Sequence, residues 1–242
     1  MIQFSEEYPS AFILPPPIPA SWAALDPETA ALLVQRLSET ADCLPAEAVA
    51  EALRLAPLDF FPGWVLCDLQ AAMADPAVGK PPRALYSLLY GPDGFTSLDG
   101  NSAAIHEHIA LHGLDLSSEA QQAGYLRFFC QFVRGPQGPF ATVDDLSRLR
   151  VSEEAPGQRA RLTEAFQPLQ LVATEADAAV SDAVATVHYA DTLFFARFRI
   201  MADGRVEMLD DEPRAEDVAA EPRVLYVDNH RFPDLPMTET VE

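Results

Sequence analysis

Three of the chain's five histidines fall within seven residues, in His106-Glu107-His108-Ile109-Ala110-Leu111-His112. His108 and His112 are four apart, so on a helix they share a face, which suits a two-histidine metal pair. Ile109 follows His108 and His106 lacks a partner at the needed spacing, so HExxH is not formed and a third ligand would have to come from elsewhere. The favoured reading is a helix whose histidines are surface or interface groups, and no metal is assigned.

Arg127, Gln131 and Arg134 form one polar seam at helical spacing. Guanidinium groups so placed match a carboxylate or phosphate, but in an acidic chain pairing with its own carboxylates is favoured. Asp210-Asp211-Glu212, before Pro213, has the charge for a divalent cation or an acid/base pair. No neighbouring ligand spacing supports either, so the cluster reads as a solvated strand end. Asp93-Gly94 and Asp99-Gly100 lack the alternation and distal glutamate of a calcium loop and read as turns. Cys43, Cys67 and Cys130 sit far apart among apolar neighbours, as buried free thiols do, and form no CxxC pair. GxSxG, GxGxxG and the GxxxxGK(S/T) phosphate loop are absent, and no catalytic or cofactor-binding residue is assigned.

The balance of 37 carboxylates against 16 basic side chains gives a formal charge of −21. That argues against a general basic surface for nucleic-acid phosphates and against adhesion to anionic membranes. The amino terminus has no positive segment followed by an apolar run, because Pro15-Pro16-Pro17 breaks Ile13-Leu14. The expectation is a soluble chain in a cytoplasmic, reducing compartment.

The elements that must position these groups are organised around Tyr125 to Arg134. Leu126, Phe129, Cys130 and Val133 make one apolar stripe, with Tyr125, Phe128 and Phe132 beside it. A helix apolar over most of its circumference is buried on at least two sides. Ser117 or Ser118 starts it and Gly135-Pro136 stops it. Asp26-Pro27-Glu28 starts an earlier helix, and a second is expected from Pro45 to Ala56. Strands are expected over Trp64–Leu69 and Ala84–Tyr90 with a return at Phe95–Leu98, and helices over 71–74, 103–112 and 144–149.

The last third reads as an antiparallel meander, with strands near 168–175, 183–189, 192–201 and 205–210. A three-residue loop with Gly204 left-handed sets Ile200 opposite Val206, Phe198 opposite Met208 and Arg199 opposite Glu207, which segregates apolar from charged. A tight Ala190-Asp191 turn sets Val187 by Phe194 and Ala185 by Ala196. His188, Leu193, Phe195 and Val184 lie on the other face, which is too apolar to be fully wet. Val224 to Asp228 is an added edge strand.

The expected fold is α+β: a largely helical N-terminal part packed with a C-terminal antiparallel β-meander. Residues 1–25 form a proline- and aromatic-rich strap, 26–150 the helical-rich part with two short strands, 164–230 the sheet and 231–242 a tail. The expected function is non-enzymatic, an interaction or scaffold protein binding a protein partner or itself through the uncovered sheet face or the strap. The alternative is a small-ligand-binding protein or enzyme with an aromatic pocket between the 117–134 helix and the meander, with Arg127, Arg134, His188 or the 106–112 histidines as polar groups. A third reading, an acidic mimic of nucleic acid that blocks a basic protein, requires the carboxylates to gather on one face.

Overall fold

The structure, a computed structural model, describes residues 12–40, 49–72, 83–151, 158–174, 179–220, 222–227 and 230–234. Residues 12–22 form no regular element before a two-residue strand, β1 (Ala23–Ala24). The Asp26 carboxylate accepts from the amides of Glu28 (3.1 Å) and Thr29 (3.0 Å), so α1 (Pro27–Thr40) begins where its unpaired donors find an acceptor. Strands β2 (Val49–Pro57), β3 (Val65–Ala72), β4 (Arg83–Gly91) and β5 (Gly94–Ser97) follow. Next come α2 (Ser102–His112), capped by Asn101, and α3 (Glu119–Phe132). In α3 the Ser118 hydroxyl accepts from the Gln121 amide (3.3 Å) while the Gln121 side chain accepts from the Ser118 amide (2.9 Å).

Beyond α3 the chain makes a ribbon of β6 (Arg134–Gly135) and β7 (Gly138–Pro139), then β8 (Ala141–Thr142), a 3-10 turn at Leu146–Arg148, β9 (Leu149–Val151) and α4 (Gln158–Ala165). Strands β10 (Gln170–Val172), β11 (Ala179–Tyr189), β12 (Thr192–Met201) and β13 (Val206–Ala215) form the meander. Three short strands close the chain: β14 (Val218–Ala220), β15 (Val224–Val227) and β16 (His230–Pro233).

Strand makes up 46% and helix 24%, which overturns the expected largely helical N-terminal part. The helix expected from Pro45 to Ala56 is strand β2 from Val49 onward, and 45–48 lie outside the described residues. Alanine, leucine and arginine favour helix locally, but here pairing decides. β2 is hydrogen-bonded to β1 and β3, with Leu53 opposite Leu69 and Leu55 opposite Cys67. The helix expected over 71–74 is strand as far as Ala72, and the rest lies outside the described residues. Only a 3-10 turn stands where a helix over 144–149 was expected.

The first sheet runs β1-β2-β3-β4-β16-β15, with β5 sharing the outer edge of β4. Residues 231–233, expected as part of a tail, therefore belong to β16, whose His230 and Arg231 pair with β4, and β15 extends this sheet rather than the meander. One face of the sheet, including Leu53, Leu55, Cys67, Leu69 and Tyr86, packs on Leu37 and its neighbours in α1. The opposite face, including Ala56, Leu66 and Leu89, packs on α3.

The second sheet runs β10-β11-β12-β13 and has the expected register: Ile200 opposite Val206, Phe198 opposite Met208, Arg199 opposite Glu207 and Val187 opposite Phe194. Gly204 has φ +82 and its carbonyl accepts from the Tyr125 hydroxyl, which ties the loop to α3. Tyr125, Leu126 and Phe128 are fully buried between the sheets, each side chain contributing about 1.5–3 kcal/mol relative to exposure. The second face of the meander is covered at Leu193 by Val143, Leu149, Leu162 and Val218 of the same chain. Among the described residues, no helix is long and apolar enough to cross a membrane.

Candidate functional site

The first sheet carries a polar row on its α3 side. Arg54 of β2 is in register with Asp68 of β3, and Asp68 with Ser87 of β4. Arg54 donates Nε (2.8 Å) and Nη2 to Asp68 Oδ2, while Oδ1 accepts from the Ser87 hydroxyl (3.1 Å) and from Nη2 of Arg231 on β16. Asp68 is wholly buried. Asp68 thus takes donors from two guanidinium groups, and buried charge is tolerated only when its donors are placed on acceptors or aromatic faces. Arg54 meets this need through the strap. Its Nη2 donates to the Pro15 carbonyl (2.9 Å), and its guanidinium lies 4.4 Å from the Phe12 ring centroid and 5.3 Å from that of Trp22. The strap is therefore held on the sheet by a charged anchor.

Beside this row opens a cleft of about 960 Å3. The proline run Pro15-Pro16-Pro17 with Ile18 and Trp22 forms one wall. The far wall is built from the β11–β12 turn, β14 and β15, and Gln131 near the end of α3 reaches the floor. Both β8 and β15, which end their sheets, border the cleft. Gln131 Nε2 donates to the Tyr226 hydroxyl (3.3 Å), and Arg134 lies 5.3 Å from the Tyr226 ring centroid. Burial raises the Tyr226 phenol above its ordinary range. A void of about 10 Å3 is bordered by Ser87 of the polar row and by Gln131, Tyr226 and Arg231, which also line the cleft, with room for a single water.

His188 presents its imidazole to the cleft. Its Nε2 is 2.9 Å from the Val218 carbonyl, which can only accept, so Nε2 carries the proton and Nδ1 keeps a lone pair. Burial pushes the His188 pKa down, so the ring is neutral near pH 7. At the rim, Asp144 is held by Arg127 in a two-pronged pair (2.8 and 3.0 Å), and Asp145 accepts from the Ser147 amide (2.8 Å) and hydroxyl. The cleft thus combines a rigid apolar wall, two aromatic rings and convergent polar groups of both signs. That combination can hold a small molecule in one orientation.

Of the residues singled out in the sequence, His108 and His112 come together on one face of α2, their ring centroids 4.8 Å apart, and Gln131 and His188 line the cleft. His108 is buried under Trp64 and Phe61, with ring centroids at 4.4 and 4.7 Å, so the surface reading fails for it. Its Nδ1 meets the Thr96 hydroxyl at 3.0 Å, its Nε2 has no partner among the described residues, and burial followed by the charge of His112 pushes its pKa down to about 4. His112 lies 3.7 Å from Asp93, and His106 is half-buried. Among the described residues no group of three or more His, Cys, Asp or Glu side chains could hold a metal ion. Arg127 takes a carboxylate of the same chain and Arg134 the Asp99 carbonyl (2.8 Å), so of the seam only Gln131 enters the cleft. Asp210, Asp211 and Glu212 are exposed on edge strand β13, where Glu212 pairs with Arg214 (2.8 Å). Cys130 is buried, its thiol pushed up to about 12, and burial likewise raises Cys67, while Cys43 lies outside the described residues.

The pocket expected between α3 and the meander is filled by Phe128, Phe129 and Phe132 against Ala183, Ala185, Val187 and Phe198. The cleft lies past the end of that interface. Sequence reasoning missed Arg54, Asp68, Ser87, Arg231 and Tyr226. The available signal was a polar side chain in the middle of each of three apolar strands, Arg54, Asp68 and Ser87. Compared with family models, curated proteins and solved structures, the chain matches none.

Proposed function

We propose that this protein binds a small molecule in the cleft between the proline strap and β14–β15, without covalent chemistry. The observation that carries the reading is the cleft itself. Its volume lies in the range of small-ligand sites, and Trp22, Tyr226, His188 and Gln131 converge on it from four separate parts of the chain. The strap is anchored on Arg54 rather than merely collapsed there, so the wall is preformed and a ligand need not order it. The test is thermal denaturation of the purified chain against fractionated small-molecule extracts, repeated with Ala20→Trp, which fills the exposed mouth. A ligand bound here raises the melting temperature in proportion to the logarithm of its concentration, and Ala20→Trp abolishes the rise. Extracts that leave the transition unmoved, or a rise untouched by Ala20→Trp, would sink this reading.

A second reading, self-association, is favoured by β15 alone. It ends the first sheet with Leu225 and Val227 about half exposed (49% and 53%). Light scattering on a size-exclusion column decides it: a dimer that Leu225→Lys converts to monomer supports the reading, and a monomeric parent chain refutes it.

A further inference from the structure

We infer that the occupant of the cleft is a short extended peptide, held by its main chain as a strand added to the outer edge of β15. This rests on the ligand-binding reading of the same cleft and names its class of ligand. Antiparallel neighbours alternate between pairs that exchange both main-chain hydrogen bonds and pairs that exchange none. Val224 stands opposite Pro233, which has no N–H, so theirs is a pair without bonds. One position earlier, the Arg223 carbonyl accepts from the Asp234 amide at 2.9 Å, which sets the same phase. Leu225 and Val227 therefore spend their N–H and C=O groups on β16. Val224 and Tyr226 turn theirs to the outer side of the strand, where among the described residues no further strand lies and none of these four groups has a partner.

Val224 and Tyr226 are also the residues of β15 that line the cleft, whereas Leu225 and Val227 do not. The edge beside the cleft thus offers a donor and an acceptor at every second residue, a pattern that an extended peptide matches group for group. At about 3.3 Å per residue the four residues of β15 span about 13 Å, the length of a tetrapeptide. Side chains of an added strand alternate in step with those of β15. One set lies over Val224 and Tyr226 on the cleft side, within reach of the proline wall. The other set stands beside Leu225 and Val227, which are half exposed and gain apolar neighbours there. A second copy of the chain carries the same edge, but a formal charge of −21 on each copy opposes that pairing, and a short uncharged peptide meets no such repulsion.

The experiment is calorimetric titration of the full chain with acetylated, amidated tetrapeptides of uncharged residues, first as mixtures with one position fixed and then as the tightest single sequence. Derivatives of that peptide N-methylated at one residue each read the pairing. Methylation where the N–H faces β15 should weaken binding at least about tenfold, and methylation at the alternate residues should leave it unchanged. Val224→Pro removes one outward donor and no bond to β16, and proline is tolerated on an edge strand. That variant should melt with the parent and bind at least about tenfold more weakly; should it melt early, the methyl series decides alone. Equal effects at all four methylated positions, or a folded Val224→Pro chain that binds as the parent does, overturn the assignment. So does a dimer of the parent that Val224→Pro dissociates, which would give the edge to a second copy. If no peptide binds while an extract ligand still raises the melting temperature, the peptide class falls and the cleft remains a ligand site; if neither acts, the ligand-binding reading falls with it.

Discussion

Substituting Asp68→Asn keeps the shape of the side chain and removes the one carboxylate between two buried guanidiniums. Asp68 is 0% exposed, Arg54 2% and Arg231 6%, so water cannot take over the solvation that is lost. The asparagine oxygen accepts at most two of the four contacts now shared by Arg54, Arg231 and Ser87, and its amide turns donors toward donors. Removing one partner of a buried ion pair costs about 3–5 kcal/mol. For a chain of this size that lowers the melting temperature by roughly 6–20 °C. The comparison is Asp182→Asn. That residue pairs with Arg199 at 2.8 and 3.1 Å in a partly exposed setting on the second sheet, where loss should cost about 1 kcal/mol. Differential scanning calorimetry on the two variants reads the contrast, and Trp22 fluorescence reports whether the strap leaves Arg54. If the two variants lose the same stability, Asp68 is not in the dry, over-subscribed setting described and the account of the strap anchor fails.

Two further outcomes follow from buried polar groups and from loop geometry. His108 is packed by Phe61, Trp64, His112 and the Thr96 hydroxyl, with Asp93 beyond His112, and its pKa is pushed down to about 4. The unfolded chain therefore binds the extra proton first as pH falls. Stability should be full above about 6.5 and decline by about 3 kcal/mol toward pH 4. Urea titrations at several pH values should show that decline flattened in His108→Leu; an unchanged slope refutes the assignment. Gly204→Ala places a Cβ against Ile109, Leu114 and the Tyr125 hydroxyl at φ +82, whereas Gly63→Ala meets open space at φ +83. Gly63→Ala should cost about 1 kcal/mol from backbone strain alone and Gly204→Ala at least twice that, and equal costs in denaturant midpoints would contradict the packing of the loop on α3.

Patterns that repeat within a few residues carried their own answer. The apolar circumference of Tyr125 to Phe132 made an interior helix inevitable, because no arrangement of fewer than two neighbours could cover it. The Asp203-Gly204 turn and the alternation around it set the meander register, since a one-residue slip would exchange apolar for charged on both faces. Asp26 and Ser118 marked helix starts through short-range hydrogen bonds. What tertiary structure alone decided was whatever depended on partners far along the chain. Ala52-Leu53-Arg54-Leu55 has a helical composition, and became strand because β1 and β3 supply its hydrogen bonds. Arg231 stood in a stretch that read as tail, and lies buried because Asp68, 163 residues away, needed a second donor. The cleft exists only where the strap, the end of α3 and the last strands meet, so no local window of residues contained it. Local hydrogen bonds and periodicity act over one or two turns and leave a trace in neighbouring residues, whereas a buried charge or a cavity is a property of surfaces brought together by folding.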